Sequence, residues 1–173
     1  MNKKDTIPMV PGLFRICCCV TALLLAVFLI AACAGVSPVP DNAPGFSGIL
    51  GKAWYLVKIR TETGDIDLDR SIMEIEGVGD AFVLQFEEDR INGIALPNRY
   101  FGPYTQKGQT ISFKGIAATL MASTQELDVL KENEYFDYLE RVHSWGWKQG
   151  SLELYSAAPD GQRAVLVFNE GSR

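Results

Sequence analysis

The sequence predicts a mainly-β domain: a small antiparallel β-barrel, or a strongly curled sheet, carrying one packed α-helix. Three observations lead there. Between residues 54 and 168, seven or eight short runs of aromatic and β-branched residues are separated by Gly, Pro, Asp and Asn turns. One stretch carries apolar residues at helical spacing. Many short antiparallel strands avoid exposed edges best by closing on themselves.

The elements follow in order. WYLVKIR (54–60) is a strand, and TETGDIDLD after it is a turn and a polar approach. SIMEIE (71–76) alternates Ile72 with Glu74, then less cleanly, and reads as a short strand ended by the turn GVGD. FVLQFEE (82–88) places Phe82, Leu84 and Phe86 on one face at period two. Glycines and prolines set bends through DRINGIALPNRYFGPY (89–104), and TISFKG (110–115) is a strand with Ile111 and Phe113 on one side. Ser123-Thr124-Gln125-Glu126 forms a capping box. The helix it opens has Leu127, Leu130, Glu134, Tyr138 and Val142 at helical spacing and runs to about Arg141. Tyr135 and Leu139 widen its apolar stripe, and Glu134 interrupts it. RVHSWGWKQG and SLELYS pair around Lys148-Gln149-Gly150, with Leu152 and Leu154 on one face. Pro159-Asp160-Gly161-Gln162 is a hairpin turn. AVLVF (164–168) closes the domain.

Residues 1–32 are of another kind. Lys3, Lys4 and Arg15 precede the uncharged run ICCCVTALLLAVFLIAACAG, the layout of a secretion signal. A run of this length also suits a retained membrane anchor. Its end favours the first reading: Ile30-Ala31-Ala32-Cys33 resembles a bacterial lipobox, in which the cysteine thiol receives diacylglycerol before cleavage. The expected organisation is a signal peptide at 1–32, a lipidated Cys33 with a Pro- and Gly-rich tether to residue 50, and a folded domain at 51–173. Ala34, where inner-membrane lipoproteins resemble one another in carrying Asp, implies the outer membrane in a cell with two membranes. Cys17, Cys18 and Cys19 fall inside the apolar signal and lack the spacing of a metal or redox motif. The domain itself has no cysteine, which excludes a disulfide, a thiolate nucleophile and a Cys-based zinc site.

The chain carries 16 basic and 21 acidic residues, a formal net charge of −5. Without the first 32 residues, which hold three basic and one acidic, 13 stand against 20. An acidic surface with no basic patch argues against nucleic acid as a partner. Attachment to a membrane then depends on the lipid or the apolar segment.

INGIALPNRYFGPY (91–104) with GQTISFKGIAATLMA (108–122) resembles the META/HslJ-like domain family. The matching residues are Asn98, Tyr100, Gly102, Tyr104, Thr119, Met121 and Ala122, with Trp54 as the opening tryptophan. Glu134 with Tyr135-Phe136, and Leu152 with Leu154, resemble its helix and late strand. Two cysteines of the family pattern are replaced by Pro97 and Ser123, so any coupling between them is absent here. The resemblance implies a small β-barrel with a packed helix. It also implies bacterial envelope lipoproteins, a loose link to stress tolerance and no established catalytic centre.

Candidate chemistry is sparse. His143 is the only histidine, without HxxxH or HExxH, and is expected in the last helical turn, where an imidazolium suits the dipole. Asp65, Asp67, Asp69 and Glu76 fit positions 1, 3, 5 and 12 of a calcium loop, but Arg70 replaces the required glycine, and a polar strand face explains them as well. No G-x-S-x-G motif is present, and Ser123 is better used as a cap. Asn98, Arg99, Tyr100 and Tyr104 form the best site-like cluster, either a structural turn or part of a binding surface. Trp145 and Trp147 share a strand face, for core packing or for stacking on carbohydrate or peptide. No cofactor is implied.

The function expected is that of a non-catalytic, membrane-anchored envelope lipoprotein that binds or stabilises another envelope component. The alternatives are a barrel-type carrier or sensor of a small apolar ligand, and an enzyme. Phe82, Phe86, Phe113 and Phe168 argue against a roomy lumen for the carrier. The enzyme lacks a visible catalytic constellation.

Overall fold

The computed structural model of the protein describes residues 44–121 and 127–171. The signal peptide, Cys33, the tether up to residue 43 and the Ser123–Glu126 capping box lie outside the described residues.

The described strands are β1 (Ala53–Thr61), β2 (Asp65–Asp67), β3 (Val83–Phe86), β4 (Arg90–Ile94), β5 (Arg99–Lys107), β6 (Thr110–Phe113), β7 (Ala117–Ala118), β8 (Ser144–Lys148), β9 (Ser151–Ala157) and β10 (Arg163–Glu170). Two helices, α1 (Arg70–Ile75) and α2 (Glu132–Glu140), and a 3-10 turn at Phe46–Ile49 accompany them. Eight strands pair antiparallel in the order β1-β3-β4-β5-β6-β8-β9-β10, and β10 returns to β1 to close a barrel. The short β2 and β7 attach to β1 and β5. Closure removes the open edges that a curled sheet would expose.

The pattern of inward residues follows from strand geometry. Trp54, Leu56 and Ile59 of β1 are all fully buried, although the last two are three residues apart. The register with β10 shifts between Leu56 and Lys58, so Val57 is the extra residue of a bulge and the alternation restarts after it. Leu84 and Phe86, Ile111 and Phe113, Leu152 and Leu154, and Leu166 and Phe168 supply the other inward pairs. Each fully buried side chain of this size stabilises the fold by about 1.5–3 kcal/mol. The β8–β9 hairpin turns on Gln149 and Gly150, both at positive φ (52° and 88°), which is the backbone a two-residue turn needs. The narrowest seam lies between β6 and β8, which share one residue pair, Thr110 with Ser144. Helix α2 packs against β6 and β9 beside it.

Five expectations need correction. SIMEIE is not a strand. The Asp69 carboxylate accepts the backbone N–H groups of Ser71 and Ile72 (2.9 and 3.2 Å), which starts α1 at Arg70. Only Met73 of α1 is buried, so its alternation of Ile and Glu reported no sheet face. Helix α2 starts at Glu132, and the described residues 127–131 before it are not helical. The Glu134 carboxylate accepts the Lys131 backbone N–H at 3.0 Å, so the acid that interrupts the stripe serves the true N-terminus. His143 lies beyond the helix, which ends at Glu140, and bridges strands through its backbone. Finally, residues 46–50, assigned to the tether, pack on the barrel: Ile49 is fully buried and accepts the Trp54 indole N–H at 3.0 Å. The bends expected through 89–104 also contain two full strands, β4 and β5.

Candidate functional site

The candidate residues separate into two ends of the barrel. At the α2 end, Asn98 follows the cis Leu96–Pro97 bond and is 5% exposed. Its amide NH2 donates to Glu132 on α2 at 3.0 Å. Its carbonyl oxygen accepts from the Thr119 hydroxyl (2.9 Å) and the Met121 backbone N–H (2.7 Å). One side chain thus fastens the β4–β5 turn, the segment after β7 and the first turn of α2. The two halves of the sequence pattern, around Asn98 and around Thr119 and Met121, meet in these bonds.

Tyr100 is buried on the inner face of β5. Its hydroxyl donates to the Val83 carbonyl at 3.0 Å and lies 3.0 Å from the Tyr135 hydroxyl. Gly93 on β4 permits this: a Cβ there would collide with the Val83 carbonyl and the Tyr100 ring. The two rings sit edge to face, and Phe82 and Phe136 pack around them. Burial pushes both phenols well above the usual tyrosine range, and for Tyr100 the neighbouring Tyr135 adds to the effect. Both therefore stay protonated, with hydroxyls already used inside the core.

At the opposite end, Tyr104 donates to the Glu87 carbonyl at 2.8 Å, and its ring meets Phe46 and Phe86. Trp145 is 8% exposed, packs edge-on against Phe46 at 5.3 Å between centroids and donates its indole N–H to the Gly108 carbonyl at 2.9 Å. Trp147 lies edge-on against Trp54 at 5.7 Å. The two tryptophans share a face, as the spacing implies, and that face is the inside. Of the six candidates, Arg99 alone points to solvent.

Arg99 borders one of several open grooves among the described residues. This groove, about 500 Å³, is lined by Tyr55, Gln85, Arg90, Asn92 and Phe101 as well. A second, about 540 Å³, is lined by Arg60, Thr61, His143, Ser144, Tyr155 and Arg163. Beneath it Glu153 is 3% exposed, although it faces the outside of the barrel. Arg60 and the Tyr155 hydroxyl each take one of its carboxylate oxygens. Burial and the bond to Glu153 push the Tyr155 phenol up to about 12. The alternation in SLELYS correctly points Glu153 outward, but no local signal shows that Arg60, distant in sequence, will cover it.

Arg70 is a further residue that sequence reasoning passed over. Its guanidinium donates to the carbonyls of Leu56, Gly79 and Ala81 and lies 5.1 Å from the centre of the Tyr55 ring. It occupies the glycine position of the calcium-loop pattern and instead ties α1 to the barrel. Three of the four carboxylates of that pattern are occupied separately. Asp65 and Asp67 grip Lys58 at 3.1 and 2.9 Å, Asp69 caps α1, and Glu76 ends it. Among the described residues no three His, Cys, Asp or Glu side chains are grouped to hold a metal ion. The polar clusters that do form hold strands and helices together.

One solved structure shares the fold. A protein from Burkholderia xenovorans, solved by NMR, is similar with a TM-score of 0.56 and 18% identity, over 80% of this chain and 96% of that one. A DUF4847 family protein from Bacteroides vulgatus has a TM-score of 0.47 and 15% identity, over 72% of this chain and 96% of the other. No curated protein matches. The META domain matches residues 48–171, which takes in the whole barrel from the end of the 3-10 turn through β10, and the chain belongs to the META domain family.

Proposed function

We propose that the protein is a non-catalytic binding module of the bacterial cell envelope, held at a membrane surface by a lipid on Cys33. The observation that carries this reading is Ile30-Ala31-Ala32-Cys33, placed after a basic start and an uncharged run and before a Pro- and Gly-rich stretch. The outer membrane, facing the periplasm, is the destination that Ala34 favours in a cell with two membranes. Membership of the META family is in keeping with an exported module. The partner is another envelope protein, and the accessible surface nearest the family motif is the Arg99–Phe101 side of β5, where Phe101 is 56% exposed.

The interior gives the carrier reading little room. Trp54, Phe82, Phe86, Tyr100, Tyr135 and Phe168 are fully or almost fully buried within the barrel.

Two measurements test the proposal. Mass spectrometry of the chain recovered from membranes is expected to show loss of residues 1–32 and a diacylglyceryl mass on Cys33. Cys33→Ser is expected to leave a full-length precursor. A Cys33→Ser chain that is cleaved and lipidated normally would rule out the anchor. Crosslinking in living cells, compared between the wild type and Cys33→Ser, is expected to capture an envelope protein with the anchored form only.

A further inference from the structure

The groove over Glu153 has a chemistry that the anchored-module reading does not use. Its lining is rich in donors and poor in acceptors. Arg60 makes one side-chain hydrogen bond among the described residues, to Glu153, leaving four of the five N–H donors of its guanidinium. Arg163 bonds Glu62 through Nε at 3.0 Å, and its two terminal nitrogens have no partner among the described residues. His143 is exposed at the same groove, and Ser144 lies beside it. Glu62 is the one carboxylate in the lining.

Glu153 cannot turn to fill that gap. Its side chain is 4% exposed, and both of its oxygens are bonded, one by Arg60 and one by Tyr155. It therefore acts from below. It anchors one terminal nitrogen of the Arg60 guanidinium on the outer wall and so lowers the entropy that a long side chain loses on binding. A planar guanidinium held in place, with a second guanidinium and an imidazole at the rim, matches an acceptor-only group with two or more oxygens. The volume of about 540 Å³ is that of a small-molecule site.

We propose that the groove between the starts of β8 and β10 and the ends of β1 and β9 binds an oxyanion, the carboxylate or phosphate group of a small ligand, on Arg60, Arg163 and His143. The assignment is independent of Cys33. Two sources carry this chemistry, a soluble acid or phosphate ester and a phospholipid headgroup.

Backbone-amide NMR of the full chain in neutral-detergent micelles tests it, with inorganic phosphate and then acetate as probes. Saturable shifts are expected at Thr61, His143, Ser144 and Tyr155 with at least one of them. Arg163→Gln, at a side chain that is 90% exposed, is expected to weaken the response about fivefold. Arg60→Gln is expected to weaken it about tenfold or more, and Arg60→Lys to recover part of the loss. Doping the micelles with phosphatidylglycerol separates the sources. A response to the doped lipid alone supports a headgroup site, and a response to the free anions supports a soluble ligand. No saturable response to phosphate, acetate or phosphatidylglycerol, or a response that Arg163→Gln and Arg60→Gln leave unchanged, would overturn the proposal.

Discussion

The two ends of the barrel are closed by different chemistry. At the α2 end, aromatic rings carry hydroxyls that bond each other and the backbone, and Asn98 clamps three segments around them. At the other end, Phe46 is wedged among Phe86, Tyr104 and Trp145 through ring contacts. The first closure is specific: the Asn98 amide and the Tyr100 and Tyr135 hydroxyls each have a designated partner, and a misplaced one would cost about 1–3 kcal/mol. The second is more adaptable, because Phe46 itself is held by ring packing, although Tyr104 and Trp145 around it each donate one hydrogen bond to the backbone. A buried polar network defines one arrangement of helix on barrel, whereas an apolar wedge fills space.

The contrast can be broken most forcefully at Tyr135, which is fully buried. Tyr135→Ala is expected to destabilise the domain by about 4 kcal/mol, read as a lower midpoint in urea denaturation. Asn98→Ala follows at about 3 kcal/mol, because it strands the Glu132 carboxylate, the Thr119 hydroxyl and the Met121 N–H together. Phe46→Ala is expected to cost about 2 kcal/mol. Hydrogen exchange would then rise around residues 46–51 and 104–109 and remain slow at Tyr135, if the two closures are separable. Equal loss of protection at both ends would show that they are not.

Alkali sharpens the same comparison. Folding raises the pKa of Tyr100 and Tyr135, so the unfolded chain ionises first, near the ordinary value of about 10. Their contribution is whole below that pH and declines as pH rises past it toward the folded values. Stability measured at pH 8, 10 and 11 is expected to fall slightly over the first step and more steeply over the second, and Tyr100→Phe to make the fall shallower at a cost of about 1 kcal/mol at neutral pH. The smallest effect belongs to Arg99→Ala, within about 0.5 kcal/mol, because the side chain is exposed. A larger change would place Arg99 in the clamp rather than at the surface.

What was legible in the sequence was local. The Gln149-Gly150 hairpin, the inward faces of β3, β6 and β9 and the closing strand follow from turn chemistry and period two, and the structure has them. Errors arose where a local signal had two meanings. Ile and Glu alternate in SIMEIE, yet the deciding residue is Asp69 just before it, which caps a helix too short to show a period. Glu134 looked like a flaw in a stripe and is the cap partner of Lys131. Part of the candidate cluster was legible too, since Asn98 and Tyr100 do hold a turn and a core. What could not be read was distance: Arg60 over Glu153, Tyr100 against Tyr135 and Phe46 against Trp145 are joined only by barrel closure. A lone phenylalanine in APGFSG was the single hint that the chain had already reached the domain.

That phenylalanine has a mechanical consequence. Any tension arriving along the chain from the N-terminal side meets Phe46 before it meets a strand. The wedge is held by ring contacts and a short run of backbone bonds, such as Gly51 to Phe86, which can be peeled one at a time. Behind it β1 is paired with β10 over the register Trp54–Glu170 to Thr61–Ala164, a longer ladder than any the wedge makes. The protein therefore has a weak link in series with a strong one. A modest pull draws out the wedge and bares Trp145 and Tyr104 while the barrel behind them keeps its shape.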